Sequence, residues 1–153
     1  MKYEIVALGG TFDIIHAGHI ALLDKGFSIS KKVIIWLTSD EFAEKNGKEL
    51  VNMYEKRHAN LISLIEEKFV NSKFEIAKLE NEFGPAVMED NVEALVVSGE
   101  TQYKGDILNK LRAEKNLSPV DVGSVPMVLG QDGERISTTR IRNNEIDSKG
   151  NLC

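Results

Sequence analysis

The chain has 153 residues, 42% of them hydrophobic, and its 24 acidic against 19 basic side chains give a formal net charge of −5. That length suits one compact domain around a single core, without room for a second. The acidic balance excludes bulk electrostatic attraction to nucleic acid or to an anionic membrane, so a bound anion has to be held by a local pocket.

The opening residues "MKYEIVALGG" contain Glu4 and end in glycines without a small-residue cleavage site, so they read as a buried strand over 3–8 and not as a signal segment. After a Gly9–Gly10 turn, a helix is expected from about Ala17, with Ile20, Leu23 and Phe27 at helical spacing. "VIIWLTS" (33–39) is a second β-branched run, and Trp36, between Ile35 and Leu37, belongs to the core. The stretch 39–53 has no clear periodicity, which makes it the candidate mobile loop or lid. "YEKRHANLISLIEEKF" places Leu61, Leu64, Ile65 and Phe69 on one helical face, and weaker strands are expected at 73–79 and 119–125. "ALVVSG" (94–99) reads as another buried strand, and "YKGDILNKLRAEKN" as a helix with Ile107, Leu108 and Leu111 apolar. A short last helix follows Ser137, and the polar tail 143–153 is expected to fray.

Alternating strands and helices predict a single-domain α/β fold, a doubly wound parallel sheet of Rossmann-like type, with ligand at the carboxyl ends of the strands. The one cysteine, Cys153, excludes a disulfide framework or a thiolate metal cluster, and no apolar run approaches the ~20 residues that cross a bilayer. A cytoplasmic protein without a membrane or nucleic-acid partner is expected, as a monomer or small homo-oligomer.

The chemistry concentrates in "GGTFDIIHAGH" (9–19). Strand 1 is expected to end at Leu8, with Gly9 and Gly10 turning the backbone so that N–H groups near Thr11 and Phe12 face an anion. The helix that follows adds its positive end, and His16 and His19, three apart with Gly18 between, share a face there. Two imidazoles and several N–H donors suit phosphate chemistry, where charge growing on oxygen must be neutralised as it appears. They do not suit a metal cage, since His58 has no acidic or thiolate partner at ligand spacing. Arg57 could bind phosphate or pair with a carboxylate, and Lys45 and Lys48 in the 39–53 stretch are equally placed by spacing.

"GGTFDIIHAGH" resembles the signature of the H-x-G-H nucleotidyltransferases, and "ISTTRIR" (136–142) resembles their second signature, a Ser/Thr-rich turn opening a helix. "LTSDEF", "YEKR", "EFGPA", "VVSGET", "NKLR" and "NEID" extend the resemblance, over nearly the whole chain, to the archaeal and eukaryotic type of phosphopantetheine adenylyltransferase. The resemblance implies reaction of ATP with 4'-phosphopantetheine to give dephospho-coenzyme A and pyrophosphate, assisted by Mg²⁺. It further implies that Thr11 holds the acceptor phosphate, His19 stabilises the transition state, His16 holds the nucleotide phosphates and a lysine, assigned to Lys48, bridges them. Gly10, Phe12, Gly99, Glu100, Thr101, Asn109, Ser137, Thr138 and Thr139 are then nucleotide contacts, Arg112 a residue facing the nucleotide, and Ser98 an acceptor contact. "STT" departs from the Ser-Ser-Thr pattern of that type and is shared by glycerol-3-phosphate cytidylyltransferases. The alternatives are therefore that enzyme, an FMN or NMN adenylyltransferase, or a nonenzymatic nucleotide-binding domain. All require the exit of strand 1 and the helix headed by Ser137 to face one crevice.

Overall fold

The computed structural model describes residues 2–47, 49–80, 92–98, 103–125, 141, 147 and 149. β1 (Tyr3–Gly10) leads through α1 (Ala17–Ile29) to β2 (Ser30–Thr38), then α2 (Asp40–Lys45), α3 (Tyr54–Lys68) and β3 (Lys73–Leu79). β4 (Ala94–Ser98), α4 (Tyr103–Glu114) and β5 (Asp121–Val125) complete the described elements. The five strands form one sheet in the order β3-β2-β1-β4-β5, and every pairing is parallel.

Parallel strands need crossovers, and the helices supply an apolar cover for both faces, which is why β1 and β2 are apolar at successive positions and not at alternate ones. Val6, Leu8, Val33, Ile35 and Leu37 pack under Leu23 of α1 and Leu61 and Ile65 of α3. Ala7, Ile34, Trp36, Leu95 and Val97 form the other face, beneath Leu108 of α4, with Phe42 of α2 at its margin. Trp36 is core, as its neighbours in sequence predict, and only 4% exposed.

The winding fixes where a ligand can enter. From β1 the chain runs outward to β2 and β3, then returns to β4 on the opposite side of β1. The crossovers on either side of β1 therefore leave in opposite directions, opening a crevice beyond the carboxyl ends of β1 and β4.

Three boundaries in the first half of the chain differ from the sequence expectation. β1 does not stop at Leu8: Gly9 and Gly10 stay in the ladder opposite Trp36 and Leu37. β2 begins three residues early, because the Ser30 hydroxyl caps α1 by donating to the Gly26 carbonyl and the chain passes straight from helix to strand. The stretch 39–53 is not plain loop, since its first part is α2, started by the Ser39 hydroxyl accepting from the Phe42 N–H at 3.1 Å. Gly47 closes that helix at φ 77°, a left-handed conformation that favours glycine. Of the last helix after Ser137 only Ile141, which is helical, is described, and of the polar tail only 147 and 149.

Candidate active site

The glycines after Leu8 serve close approach and not a turn. A Cβ on Gly10 would stand 3.0 Å from the Phe12 ring, so the missing side chain lets that ring fold back beneath the strand end. The left-handed residue of the turn is Phe12 itself, at φ 50°. A bulky residue is strained there, and burial holds it: Phe12 is fully buried and its ring lies 4.7 Å from that of His19. The Phe12 ring thus supports the site from below, so the expected nucleotide contact of Phe12 falls to its backbone N–H alone.

His16 is the N-cap of α1 and takes the capping role that Ser or Asp commonly plays. Its Nδ1 accepts from the Gly18 N–H at 3.0 Å, while the His16 N–H donates to His19 Nδ1 at 3.2 Å. The two bonds form a reciprocal capping box, and the rings stack with centroids 4.0 Å apart. Because each Nδ1 accepts an N–H, each neutral ring carries its proton on Nε2. Both imidazoles therefore turn a donor edge away from the helix end they cap. A Cβ on Gly18 would meet His16 Cε1 at 2.9 Å, so only glycine lets the ring lie across this position. The local-backbone role and the phosphate-donor role are thus compatible, one nitrogen serving each.

Around this pair, buried charge fixes the strand ends. Arg57 is completely buried, and its Nη1 donates to the carbonyls of Thr11 and Thr38, both at 2.8 Å. Its Nη2 is paired with Asp40 at 2.8 Å, and its Nε donates to the Asn52 carbonyl. The choice left open by the sequence falls to the carboxylate: Arg57 braces the exits of β1 and β2 and does not reach into the crevice. Asp13, 5% exposed, accepts from the Val51 and Asn52 N–H groups at 2.8 Å each. Neither residue is picked out by periodicity; the signal for Asp13 was its place within the glycine-histidine run.

Asn109 is corrected as a nucleotide contact. Its carboxamide donates to the Val120 carbonyl and accepts from the Val120 N–H, bracketing α4 to the start of β5. The same bracket withdraws Val120 from the strand ladder, so β5 starts at Asp121. Arg112, 1% exposed, donates through Nε to the Ser118 carbonyl in that turn. Thr11 and Gly10 stand half-buried at the β1 exit, and the Thr38 hydroxyl holds the Gly10 carbonyl at 3.1 Å. Lys48, Gly99, Glu100, Thr101, Ser137, Thr138 and Thr139 lie outside the described residues, as does the Ser98 side chain at the end of β4.

A stacked imidazole pair at the switch point of a 3-2-1-4-5 parallel sheet is the arrangement that comparison with known proteins can test. The cytidylyltransferase-like family matches residues 7–144. The phosphopantetheine adenylyltransferase of Pyrococcus furiosus is 44% identical over 98% of this chain and 94% of its own length. That of Methanothermobacter thermautotrophicus is 38% identical over 99% and 90%. This chain belongs to the phosphopantetheine adenylyltransferase family of cytidylyltransferase-like proteins. Among solved structures, a protein of unknown function from Archaeoglobus fulgidus superposes with a TM-score of 0.72 at 30% identity, covering 80% of this chain and 88% of that one. The family membership agrees with the doubly wound sheet and makes the chain a nucleotidyltransferase.

No group of three His, Cys, Asp or Glu side chains able to hold a metal is present among the described residues. Both oxygens of Asp13, the carboxylate at the β1 exit, are engaged by N–H groups. The described residues thus offer no protein cage for Mg²⁺, an ion that commonly binds through substrate phosphates and water. No helix among the described residues is long and apolar enough to cross a membrane.

Proposed function

We propose that this nucleotidyltransferase moves AMP from ATP to 4'-phosphopantetheine, giving dephospho-coenzyme A and pyrophosphate. The reading is carried by the stacked His16–His19 pair at the start of α1, whose Nδ1 atoms accept backbone N–H groups, so that each neutral ring carries its own N–H on Nε2. It is supported by relatives that bear that activity's name over nearly their whole length. An oxygen of the acceptor phosphate attacks the α-phosphorus, and the bond from that phosphorus to the bridging oxygen of pyrophosphate breaks. Charge builds on the α-phosphate oxygens as this happens, and fixed donors are worth most there because they need no reorganisation. His19, the more exposed ring, stabilises that charge; His16 holds the nucleotide phosphates; Thr11 aims the acceptor.

Lys48 is proposed to bridge the reacting phosphates, and Ser98 to contact the acceptor. Gly10, Gly99, Glu100, Thr101 and the hydroxyls of Ser137, Thr138 and Thr139 are proposed to hold the nucleotide. Mg²⁺ would enter on the phosphates of ATP and lower their repulsion. Pyrophosphate release measured with 4'-phosphopantetheine, glycerol 3-phosphate, FMN and nicotinamide mononucleotide tests the reading. Release with 4'-phosphopantetheine and ATP is expected; release only with glycerol 3-phosphate and CTP, or nucleotide binding without turnover, rejects it. Ser137→Ala should raise the KM for ATP with a smaller effect on kcat.

A further inference from the structure

Between α2 and α3 residues 51 and 52 lie against Asp13 at the β1 exit, and apolar burial does not hold them there: Val51 and Met53 are 53% and 51% exposed. What holds them is a polar chain centred on Asn52. Arg57 Nε donates to the Asn52 carbonyl at 3.1 Å, the Asn52 N–H donates to Asp13 Oδ1 at 2.8 Å, and Asn52 Nδ2 donates to the Asp13 carbonyl at 3.1 Å. The second Asp13 oxygen takes the Val51 N–H at 2.8 Å. The guanidinium and the carboxylate thus hold the two peptide units on either side of the Asn52 Cα, one by its carbonyl and the other by its N–H, and bonds that end on a charge are the stronger kind. Arg57 is itself fixed to the carbonyls of Thr11 and Thr38, so the connection is tied to the two strands whose exits frame the imidazoles.

We propose that Asp13 is a positioning residue for nucleotidyl transfer: through Val51 and Asn52 it holds the chain that follows Lys48 against the β1 exit, without touching substrate. The inference rests on the adenylyl-transfer reading for the role of Lys48, but the strap itself is independent of it. In Asp13→Asn one carboxylate oxygen becomes an NH₂ that faces an N–H donor, so one bond is lost and the other ends on a neutral oxygen. Trypsin cleavage between α2 and α3, followed by mass spectrometry on the whole chain, should then accelerate about tenfold, the equilibrium shift that such a bond supplies. In the same variant kcat should fall at least about tenfold while the KM for ATP stays within about twofold, since the nucleotide donors keep their places.

Asn52→Ala removes only the side-chain bond to the Asp13 carbonyl, and should move cleavage and kcat in the same direction by less. It decides the matter if Asp13→Asn does not fold by circular dichroism. A folded variant that loses turnover at an unchanged cleavage rate would show Asp13 acting on substrate directly and overturn the proposal. So would faster cleavage at unchanged kcat, or no change in either. Wild-type protein that releases no pyrophosphate with any acceptor rejects the functional reading instead, and the cleavage comparison alone then accepts or rejects the strap.

Discussion

At the residue scale, each histidine of the site divides its work between two nitrogens. Nδ1 serves the helix end and the proposed reading gives Nε2 to the ligand, so an exchange at either position is expected to touch both structure and chemistry. His19→Ala should lower kcat about 100-fold or more in a pyrophosphate-release assay, the usual loss of one preorganised donor, and change the KM for ATP little. Gly18→Ala separates the two roles. Alanine gains up to about 1 kcal/mol of helix propensity, which opposes the contact made at 2.9 Å from His16 Cε1. Its melting temperature should therefore stay close to wild type, while the displaced ring lowers kcat about tenfold through misplacement. A large loss of stability with unchanged kcat would sink that assignment. The roles of Asp13, Arg57 and Asn109 were not legible at this scale, because each depends on a backbone partner far along the chain, 38 positions away for Asp13, 46 for Arg57 and 11 for Asn109, where no spacing rule reaches.

Among the elements, α2 is the one that periodicity could not find. Its six residues are too few to show a helical pattern, and its existence depends on the cap at one end and a left-handed glycine at the other. Ser39→Ala should cost about 1 kcal/mol by removing the acceptor for the Phe42 N–H. For a chain of this size that corresponds to a fall of about 2–4 °C in Tm, measurable by calorimetry. The longer helices α1, α3 and α4 follow the spacing of their apolar residues, but two starts differ in kind. α1 is capped by a histidine pair, whereas α3 has no side-chain cap at Met53 and instead has the Tyr54 N–H taken by Asp40. Asp40 thus serves a helix start and the Arg57 guanidinium with the same oxygen.

Across the whole molecule, the network around Arg57 joins β1, β2, α2 and α3 through one buried cation. Arg57→Leu removes the cation and leaves the Thr11 and Thr38 carbonyls and Asp40 without it, a change expected to cost about 3–5 kcal/mol in denaturant unfolding. At the other end of the sheet, the Tyr3 hydroxyl donates to Asp121 at 2.7 Å, reaching across β4 to tie β1 to β5. That hydrogen bond, aided by burial, raises the phenol above its ordinary 10.0. A folded value above the unfolded one favours the protonated fold, so the stabilisation is complete below pH 10 and disappears as pH rises through the folded value. Denaturant midpoints should consequently fall more steeply for wild type than for Tyr3→Phe over that alkaline range, and parallel curves would contradict the linkage.

The sequence by itself determined the fold class, the buried character of β1, β2 and β4, the core place of Trp36 and the position of the histidine pair after strand 1. Those features rest on local regularities: apolar runs, helical spacing and a glycine-histidine run whose members lie within eleven positions. Only the tertiary structure decided that Gly9 and Gly10 stay in the sheet, that Phe12 and Asn109 are supports, and that Arg57 faces a carboxylate. These depend on which backbone carbonyls and N–H groups a buried side chain meets when the strands assemble. A buried charge must be satisfied by whatever stands beside it in space, and sequence order does not specify that neighbour.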